Sequence, residues 1–523
     1  MPLDQPHVFI PDLFESHGRY FPDKEAVVCG DVRRHWRDFS HNINRVANAL
    51  LRDGIGKGSH VAVLMDNSVE MLEAVFGVVR AGACVVPLSG LLTGPQLAGL
   101  IHDSQAVAVF ASAAFRERLG PYTEQLSRVS PQRRIAMLSS EAGWVDFAAY
   151  TDGVGHAAPV VRYALDDEFN IIYSSGTTGL PKGILQTHGA RLHWAFSNAI
   201  EMGFTRRSRA LTTTALYSNG TWLVMLPALF VGGTVVAMPS FNATRMLELV
   251  ALEKITHTFM VPTQYVMVLG EPTLAQHDVS SLEVLLSAGS PLRLDTKRAV
   301  MAHFGDRLIE LYGYSEGYAS MLKPGQHEAH PDSVGVPVLG WEIRILGDDG
   351  QPVPAGVAGE IAGYGAGMMA GYHQQPEETE KLIWRDERGR TFIRSGDVGV
   401  LDDGGFLRIV DRKKDMIISG GFNVFPSDIE SVVAQHAGVL DVAVISIPHE
   451  KWGEVPLALV VPRAEHPCAP SDIAAWCNQR LAKHQRLARV AFCAEFPRNA
   501  LGKVLKRELR AAYGVEAPAA QTP

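Results

Sequence analysis

Short apolar runs alternate with amphipathic segments through the first half of the chain. Residues 61–65 form an apolar run of strand length, and residues 68–81 carry a helical pattern that begins at Ser68, a favoured N-cap residue. The alternation continues downstream, and it predicts further strands at 84–87, 107–110, 234–238, 258–261 and 284–286 and a further helix at 221–230. Alternation of this kind is typical of helices packed on mostly parallel sheets, so we predict an α/β fold.

The pattern changes in the last third of the chain. A glycine-rich stretch at 363–371 is followed by a charged cluster, Asp411-Arg412-Lys413-Lys414-Asp415, which separates two apolar strands. Beyond the cluster the pattern predicts strands at 416–418, 442–446 and 457–461 and helices at 427–434 and 471–481. We therefore predict a large N-terminal domain of layered, mostly parallel sheets with helices at 1–411, a hinge at 412–415, a small mobile α+β C-terminal domain at 416–515 and a flexible tail at 516–523.

One long stretch, residues 210–244, contains no Asp, Glu, Lys or Arg. A membrane helix needs about 20 predominantly apolar residues. Here the stretch is interrupted by Ser218-Asn219-Gly220, by Pro227 and by Gly232-Gly233. We therefore predict a buried helix followed by a buried strand, with no stable membrane insertion.

Composition and charge narrow the class of protein. The 523 residues are 46% hydrophobic and 20% charged, as in ordinary globular proteins, and the formal net charge of −8 argues against a nucleic-acid partner. The five cysteines form no C-x-x-C pair, which is typical of a reducing compartment and gives no zinc signature. The first residues lack the basic segment and apolar core of a signal peptide, so we predict a cytoplasmic protein.

The segment YSSGTTGLPKG, residues 173–183, has few atoms for packing and many for surrounding an anion. Backbone N–H groups of such a loop can converge on phosphate oxygens, and Lys182 adds a positive charge. Thr177 and Thr178 could bind phosphate or Mg²⁺. The loop is not a P-loop, because Pro181 stands in place of its second glycine and Gly183 in place of its Ser or Thr. Taken alone, the segment is also compatible with a flexible surface turn.

Further short motifs follow in a fixed order along the chain. They are Thr187-His188, SAGSPL at 287–292, YGYSE at 312–316, RSGD at 394–397, DRKKD at 411–415 and Pro497 through Gly502-Lys503. Together with the 173–183 loop, these motifs closely resemble the acyl-CoA synthetase, adenylation-domain and luciferase superfamily of AMP-binding enzymes. The segment Gly420-Gly421-Phe422-Asn423 is similar to that of some bacterial fatty-acyl-CoA ligases.

The resemblance implies a two-step reaction. A carboxylate attacks the α-phosphate of Mg·ATP to give acyl-AMP and pyrophosphate, and the thiol of coenzyme A then displaces AMP. ATP, Mg²⁺ and coenzyme A are therefore the expected cofactors and co-substrates. Lys503 stands at the position of the family's catalytic lysine in the C-terminal domain, and Glu316 and Thr178 are the expected catalytic and Mg²⁺-binding residues.

The resemblance also implies which residues bind the nucleotide, in the N-terminal ATP- and acyl-binding domain. Asp397 would accept hydrogen bonds from the ribose hydroxyls, Tyr312 would stack on adenine, and Arg412 would reach ribose or phosphate. The full expected set is Ser174, Ser175, Gly176, Thr177, Thr178, Gly179, Lys182, Gly289, Ser290, Pro291, Tyr312, Gly313, Tyr314, Ser315, Asp397, Arg412 and Lys503. As isolated features, Glu316, Asp397 and Arg412 could equally be ordinary helix-start, turn and surface residues, and Tyr312 a core residue.

The remaining implied roles concern domain rotation, the thiol and the acid. Lys414 is the expected hinge residue, and Gly420, Gly421 and Phe422 are expected to line the coenzyme A tunnel, with Phe422 where the family most often has glutamate. The acyl pocket is expected to include Tyr217, Ser218, Trp222, Met225 and Tyr318. Ser218 replaces a histidine that gates the tunnel in many relatives, so that role is in question here. Trp222 and Met225 could equally be plain core.

The leading hypothesis is an ATP-dependent carboxylic acid–CoA ligase for medium- or long-chain fatty acids. No Arg or Lys lies between Arg209 and Arg245 to bind a second carboxylate, which disfavours dicarboxylates. The alternatives are an aryl acid–CoA ligase, an adenylation enzyme that loads a carrier protein, a ligase that stops at acyl-AMP, a luciferase-like oxygenase and, in a different class, a non-catalytic nucleotide or acyl sensor. A homodimer is a reasonable default.

Overall fold

The fold is seen in a computed structural model that describes residues 7–137, 143–174, 181–419, 422–498 and 504–514. The α-helices of these residues are α1 (Ile10–Tyr20), α2 (Trp36–Arg52), α3 (Val69–Arg80), α4 (Gly94–Asp103), α5 (Ala113–Leu119), α6 (Phe147–Tyr150), α7 (His188–Glu201), α8 (Trp222–Phe230), α9 (Ala243–Glu253), α10 (Pro262–Leu269), α11 (Leu294–Phe304), α12 (Pro376–Glu380), α13 (Pro426–Val433), α14 (Pro470–Asn478) and α15 (Lys506–Tyr513).

The strands of the described residues are β1 (Glu25–Cys29), β2 (Val32–His35), β3 (His60–Leu64), β4 (Cys84–Pro87), β5 (Ala108–Ala111), β6 (Arg134–Ala136), β7 (Val145–Asp146), β8 (Glu168–Tyr173), β9 (Gly183–Thr187), β10 (Arg209–Thr212), β11 (Thr234–Ala237), β12 (His257–Met260), β13 (Val284–Ser287), β14 (Leu308–Tyr314), β15 (Tyr318–Leu322), β16 (Val336–Pro337), β17 (Trp341–Leu346), β18 (Gly359–Gly365), β19 (Gly371–Tyr372), β20 (Ile383–Arg385), β21 (Thr391–Leu401), β22 (Leu407–Arg412), β23 (Ile417–Ser419), β24 (Phe422–Val424), β25 (Val439–His449), β26 (Gly453–Pro462) and β27 (Arg489–Phe492).

Two large sheets carry the predicted parallel strands. One has nine strands in the order β16-β15-β14-β13-β12-β10-β11-β1-β2, and its strands from β14 through β1 are all parallel. The other has eight strands in the order β19-β9-β8-β4-β3-β5-β6-β7, and its strands from β8 through β7 are parallel. The predicted α/β fold with mostly parallel sheets is confirmed, and antiparallel strands occur only toward the sheet edges.

Two smaller sheets are mainly antiparallel. The third sheet runs β17-β18-β21-β20, with β22 paired to β21. The glycine-rich stretch begins in β18 of this sheet, and Gly371 at its end belongs to β19 of the eight-stranded sheet. The fourth sheet runs β24-β23-β26-β25, with β27 parallel to β26, and helices α13 and α14 pack in the core beneath it. The predicted hinge segment lies between the last strand of the third sheet and the first of the fourth. The division into domains stays a prediction.

Local chemistry explains two of the predicted helices. The Ser68 hydroxyl accepts a hydrogen bond of 3.0 Å from the Met71 N–H and so caps α3. Every residue of α8 except Phe230 is buried, as expected for a helix that is apolar on all sides. The predicted buried helix and strand of the uncharged stretch are thus α8 and β11. Within the described residues, no helix combines the length and apolarity that a membrane crossing requires.

We predict that one buried histidine makes the fold acid-sensitive. His188 is 2% exposed and packs among Phe9, Tyr163 and Phe169, and burial lowers its pKa to about 4. The unfolded chain therefore takes up this proton at higher pH than the folded chain, so the free energy of unfolding should fall as pH drops from about 6.5 to about 4. A shift of this size corresponds to about 3 kcal/mol.

Urea unfolding between pH 7.5 and pH 4 measures this effect. The slope of unfolding free energy against pH should become shallower in His188→Gln, whatever that variant does to stability at pH 7.5. Substitution of the exposed His466 by Gln is the matched control and should leave the slope unchanged. A slope that His188→Gln does not alter would mean that other groups cause the acid sensitivity.

Candidate active site

The predicted phosphate loop joins two neighbouring strands of a β-hairpin. Tyr173 at the end of β8 pairs with Gly183 at the start of β9, and the Ser174 N–H donates to the Lys182 carbonyl at 2.9 Å. The Tyr173 hydroxyl is fixed by a 2.6 Å hydrogen bond to Asp103. The structure therefore places both ends of the loop, while Ser175, Gly176, Thr177, Thr178 and Gly179 lie outside the described residues.

Lys182 is connected to Glu316 through two residues that the sequence analysis missed. Its Nζ lies 2.8 Å from a carboxylate oxygen of Glu378 and 4.7 Å from the centre of the Tyr372 ring. The Tyr372 hydroxyl in turn donates to Glu316 Oε1 at 2.8 Å. Lys182 and Lys381 lower the pKa of Glu378 to about 2, so the carboxylate is ionised at neutral pH. Nothing in the sequence distinguishes Tyr372 or Glu378 from other polar residues of a glycine-rich region.

Asp397 lies in contact with both Tyr312 and Arg412. The Tyr312 hydroxyl donates to Asp397 Oδ2 at 2.8 Å, and Arg412 Nε lies 3.2 Å from the other carboxylate oxygen. Asp397 and Arg412 face each other in the register of β21 and β22, which explains their contact. Burial raises the pKa of the Tyr312 hydroxyl well above its ordinary value, so it stays a donor. Each Asp397 oxygen retains a lone pair for a further donor.

The YGYSE motif forms the end of the β14–β15 hairpin, with Gly313 paired to Ala319. The Tyr314 hydroxyl donates to the Ile393 carbonyl at 2.8 Å, and the Ser315 carbonyl accepts from Gln186 Nε2 at 2.8 Å. The Glu316 carbonyl accepts from the Met369 N–H, also at 2.8 Å. Gly289, Ser290 and Pro291 follow β13, the neighbour of β14, so they lie at the same edge of the sheet.

The residues of the predicted acyl pocket lie at and beside α8. Ser218 is 8% exposed, and Trp222, Met225 and Tyr318 are at most 1% exposed. The Trp222 indole donates to the Leu216 carbonyl at 2.9 Å, and Met225 packs into the main core. Tyr217 is half-buried against the same core. Their role in binding the acid stays a prediction.

A buried arginine of α7 also contacts α8. Arg191 is fully buried, and its guanidinium lies 4.8 Å from the Trp222 ring centre and 5.1 Å from that of Trp194. It donates to Asn170 Oδ1 at 2.7 Å and to Asn219 Oδ1 at 2.9 Å, and burial lowers its pKa to about 9. Sequence reasoning sought cations only in the uncharged stretch itself and so missed one supplied by a neighbouring helix.

The C-terminal residues of the prediction are only partly described. Lys503, Gly420 and Gly421 lie outside the described residues. Phe422 is 60% exposed and stacks on His484 at 5.3 Å between ring centres. Lys414 lies in the turn between β22 and β23, where partial burial, with Arg412 nearby, lowers its pKa to about 8.

Two groups of residues could hold a metal ion. Glu316 offers the oxygen ligand that Mg²⁺ prefers, but Thr178 lies outside the described residues. Elsewhere, the ligand atoms of His60, Cys84 and Glu168 lie within 4.8 Å of one another, because these residues begin the adjacent strands β3, β4 and β8. His60 is already hydrogen-bonded to Glu168 at 2.8 Å and to the Ser104 carbonyl at 2.5 Å. A thiol and an imidazole are poor ligands for Mg²⁺, so Glu316 is the better magnesium candidate.

Comparison with known proteins gives consistent matches over almost the whole chain. The family described as AMP-binding enzyme matches residues 14–373, and the AMP-binding enzyme C-terminal domain matches residues 428–503. A feruloyl-CoA synthase from Amycolatopsis sp. is 33% identical over 95% of this chain and 97% of its own length. A long-chain-fatty-acid–CoA ligase from Mycobacterium tuberculosis is 31% identical over 93% of this chain and 95% of its own. A crystal structure of an anthranilate CoA ligase in complex with anthranoyl-AMP superposes with a TM-score of 0.87 at 25% identity and covers 98% of both chains.

We predict that Glu378 competes with ATP for Lys182. A solvent-accessible ion pair of this kind contributes little free energy, so Glu378→Gln should tighten ATP binding by up to about fivefold, whereas Lys182→Met should weaken it by about ten- to a hundredfold. Isothermal titration calorimetry with Mg·ATP measures both. Glu380→Gln changes the same charge on the same helix without a contact to Lys182 and is the control. Weaker ATP binding in Glu378→Gln would show that Glu378 instead holds Lys182 in its binding position.

Proposed function

The chain belongs to the AMP-binding enzyme family and is an AMP-forming acid–CoA ligase, and from this premise we propose that it activates an aromatic carboxylic acid. ATP and coenzyme A are its co-substrates and Mg²⁺ its cofactor. The first half-reaction gives acyl-AMP and pyrophosphate, and the second gives the acyl-CoA thioester and AMP. The family inferred from the sequence motifs is therefore confirmed, and the acid and the roles of the individual site residues are proposed.

The observation that carries an aromatic acid is a series of rings beside the YGYSE hairpin. Tyr318 lies 6.2 Å from Tyr312, 6.1 Å from Tyr314 and 6.3 Å from Trp341, measured between ring centres. These rings pack on one another, and an aromatic acid beside the half-buried Tyr314 would extend the cluster by edge-to-face or offset contacts of the same kind. The feruloyl-CoA synthase and the anthranilate CoA ligase, both similar along nearly their full lengths, are named for aromatic acids.

The roles of this chain's residues follow from their charges. Lys182 and Arg412 would place positive charge beside the phosphates and ribose. Asp397 already accepts from Tyr312 and Arg412, and its remaining lone pairs would accept hydrogen bonds from the ribose hydroxyls. Mg²⁺ would be held by Glu316 together with phosphate oxygens, and it would neutralise negative charge on the phosphates. Lys503 would stabilise charge on the α-phosphate as the acid attacks, the kind of term that commonly accounts for ~10²–10³ in rate.

A fatty acid is the second candidate. It is favoured by the apolar surroundings of α8 and by the similarity to a long-chain-fatty-acid–CoA ligase. The burial of Trp222 and Met225 does not separate the two candidates, because Tyr318 is buried to the same extent.

Pyrophosphate release from Mg·ATP tests the proposal across a panel of acids with and without coenzyme A. Benzoate, cinnamate, ferulate and indoleacetate represent aromatic acids, and octanoate and palmitate represent fatty acids. We expect an aromatic acid to give the highest kcat/KM, with AMP and a thioester as products when coenzyme A is present. Lys503→Ala should lower pyrophosphate release by at least a hundredfold.

Lys506→Ala is the matched control for Lys503, because Lys506 is three residues away and pairs with Glu430 in the fourth sheet region. It should retain most of the pyrophosphate release. A fatty acid with the highest kcat/KM would replace the aromatic proposal by the second candidate. Pyrophosphate release without thioester would favour carrier-protein loading, and ATP binding without turnover on any acid would favour a sensor.

A further inference from the structure

We propose that Arg191 is a positioning residue that acts through Asn219 to direct the Ser315 hydroxyl hydrogen toward the bound acyl-adenylate. The inference deepens the proposed function and rests on it for the identity of the ligand. Arg191 is a buried cation with no carboxylate partner among the described residues. Such a group is costly to bury, so the neutral side chains that accept its hydrogen bonds are held in defined orientations.

The chemistry of arginine fixes the direction of the hydrogen bond between Arg191 and Asn219. A guanidinium has only N–H donors and no acceptor. The 2.9 Å contact between Arg191 and Asn219 therefore requires the amide oxygen of Asn219 to face Arg191. The second donor contact, 2.7 Å to Asn170 Oδ1, fixes the guanidinium plane from the other side. Asn219 cannot rotate its amide by 180° without placing N–H groups against N–H groups.

The fixed Asn219 amide in turn decides what Ser315 receives. With its oxygen on Arg191, Asn219 presents its NH₂ group to Ser315 and donates to Ser315 Oγ at 2.9 Å. The chemistry of the arginine thus decides which end of the Asn219 amide is nitrogen and which is oxygen. The Ser315 backbone is held as well, because its carbonyl accepts from Gln186 at 2.8 Å.

The Ser315 hydroxyl hydrogen is left to donate to a ligand. A hydroxyl that accepts one hydrogen bond still has its own O–H to donate. Among the residues that the structure describes, Asn219 is the hydrogen-bond partner of the Ser315 hydroxyl, and the Ser315 side chain is half-buried. It sits next to Glu316 in the same hairpin, so a ligand at Glu316 is within its reach. The acceptor that fits is an oxygen of the phosphate or acyl group of the adenylate.

The positive charge itself contributes to this arrangement. Arg191 polarises the Asn219 amide, which makes its NH₂ a stronger donor, and Ser315 in turn becomes a stronger donor to the ligand. The faces of Trp194 and Trp222 keep water from the guanidinium while favouring its charge. The relay Arg191–Asn219–Ser315 joins α7, the segment before α8 and the YGYSE hairpin.

Asn219→Asp separates this relay from a merely structural contact. Aspartate gives the buried arginine a carboxylate, so the melting temperature should rise by several degrees. The same carboxylate can only accept, so it takes the Ser315 hydrogen away from the ligand. We expect AMP affinity to fall about tenfold and kcat of pyrophosphate release to fall ten- to a hundredfold, with a smaller change in KM for ATP.

Ser315→Ala removes the donor itself and should lose AMP affinity by the same factor, and the double variant should be no worse than either single one. Arg191→Met frees the amide to rotate and should also weaken AMP binding, which keeps the proposal testable if Asn219→Asp does not fold. Asn48→Asp, at the half-exposed position on α2, adds the same charge elsewhere and should leave AMP affinity and turnover within twofold.

The outcomes are distinct. Unchanged AMP affinity in Asn219→Asp would overturn the relay, and so would a parallel loss of melting temperature and activity, because that is the signature of lost packing. If the unmodified protein releases no pyrophosphate with any acid, the proposed function fails, while AMP affinity and melting temperature still decide the relay. Failure of the unmodified protein to bind AMP would overturn both.

Discussion

A buried guanidinium that has no carboxylate partner among the described residues constrains much of the site. Two asparagine oxygens and two tryptophan faces contact Arg191, and these come from different parts of the chain. Asn170 belongs to the strand that leads into the phosphate loop, and Asn219 to the turn before α8. One cation thus ties together the loop, the helix beside the expected acyl pocket and the hairpin that carries Glu316. A carboxylate in place of either asparagine would pair with the arginine directly, and the remaining partners would then be less constrained.

The charged groups expected to meet ATP already have partners within the protein. Lys182 forms an ion pair with Glu378, and Glu316 accepts a hydrogen bond from Tyr372. Asp397 accepts a hydrogen bond from Tyr312 and pairs with Arg412. These contacts hold each side chain near its expected position, and they also have to be exchanged or extended when the nucleotide binds. Exposed pairs such as Lys182–Glu378 exchange at little cost, whereas the buried Asp397 keeps its donors and adds to them. The residues expected to bind ribose are therefore held most firmly, and those expected to bind the phosphates can rearrange at the lowest cost.

The sequence predicted the parallel sheets well because each strand is a short apolar run and each helix has a clear boundary, as at Ser68 and α3. It predicted the family because the motifs keep fixed residue types in order. It failed for Tyr372, Glu378, Asn219 and Arg191, whose importance lies in contacts between residues far apart in the chain. The register that places Asp397 opposite Arg412 is likewise invisible in either motif alone. In the third sheet only the apolar strand before the charged cluster, β22, was expected. Glycines interrupt the apolar pattern of β18 and β21, whereas β17 alternates apolar Trp341, Ile343 and Ile345 with polar residues and was overlooked.

The pairing of β1 with β11 has a consequence for how the chain is made. Val27 pairs in the sheet with Val235, so β1 has its antiparallel partner β2 at once, but its parallel partner β11 is made only about two hundred residues later. The uncharged stretch that supplies this neighbour emerges in the same interval, with no charge to keep it from other apolar chains. Folding of this sheet is therefore a late event with a high entropic cost of closure. The apolar face of β1 and the uncharged stretch are therefore exposed during synthesis until β11 is in place, and exposed apolar segments of this kind are prone to aggregation.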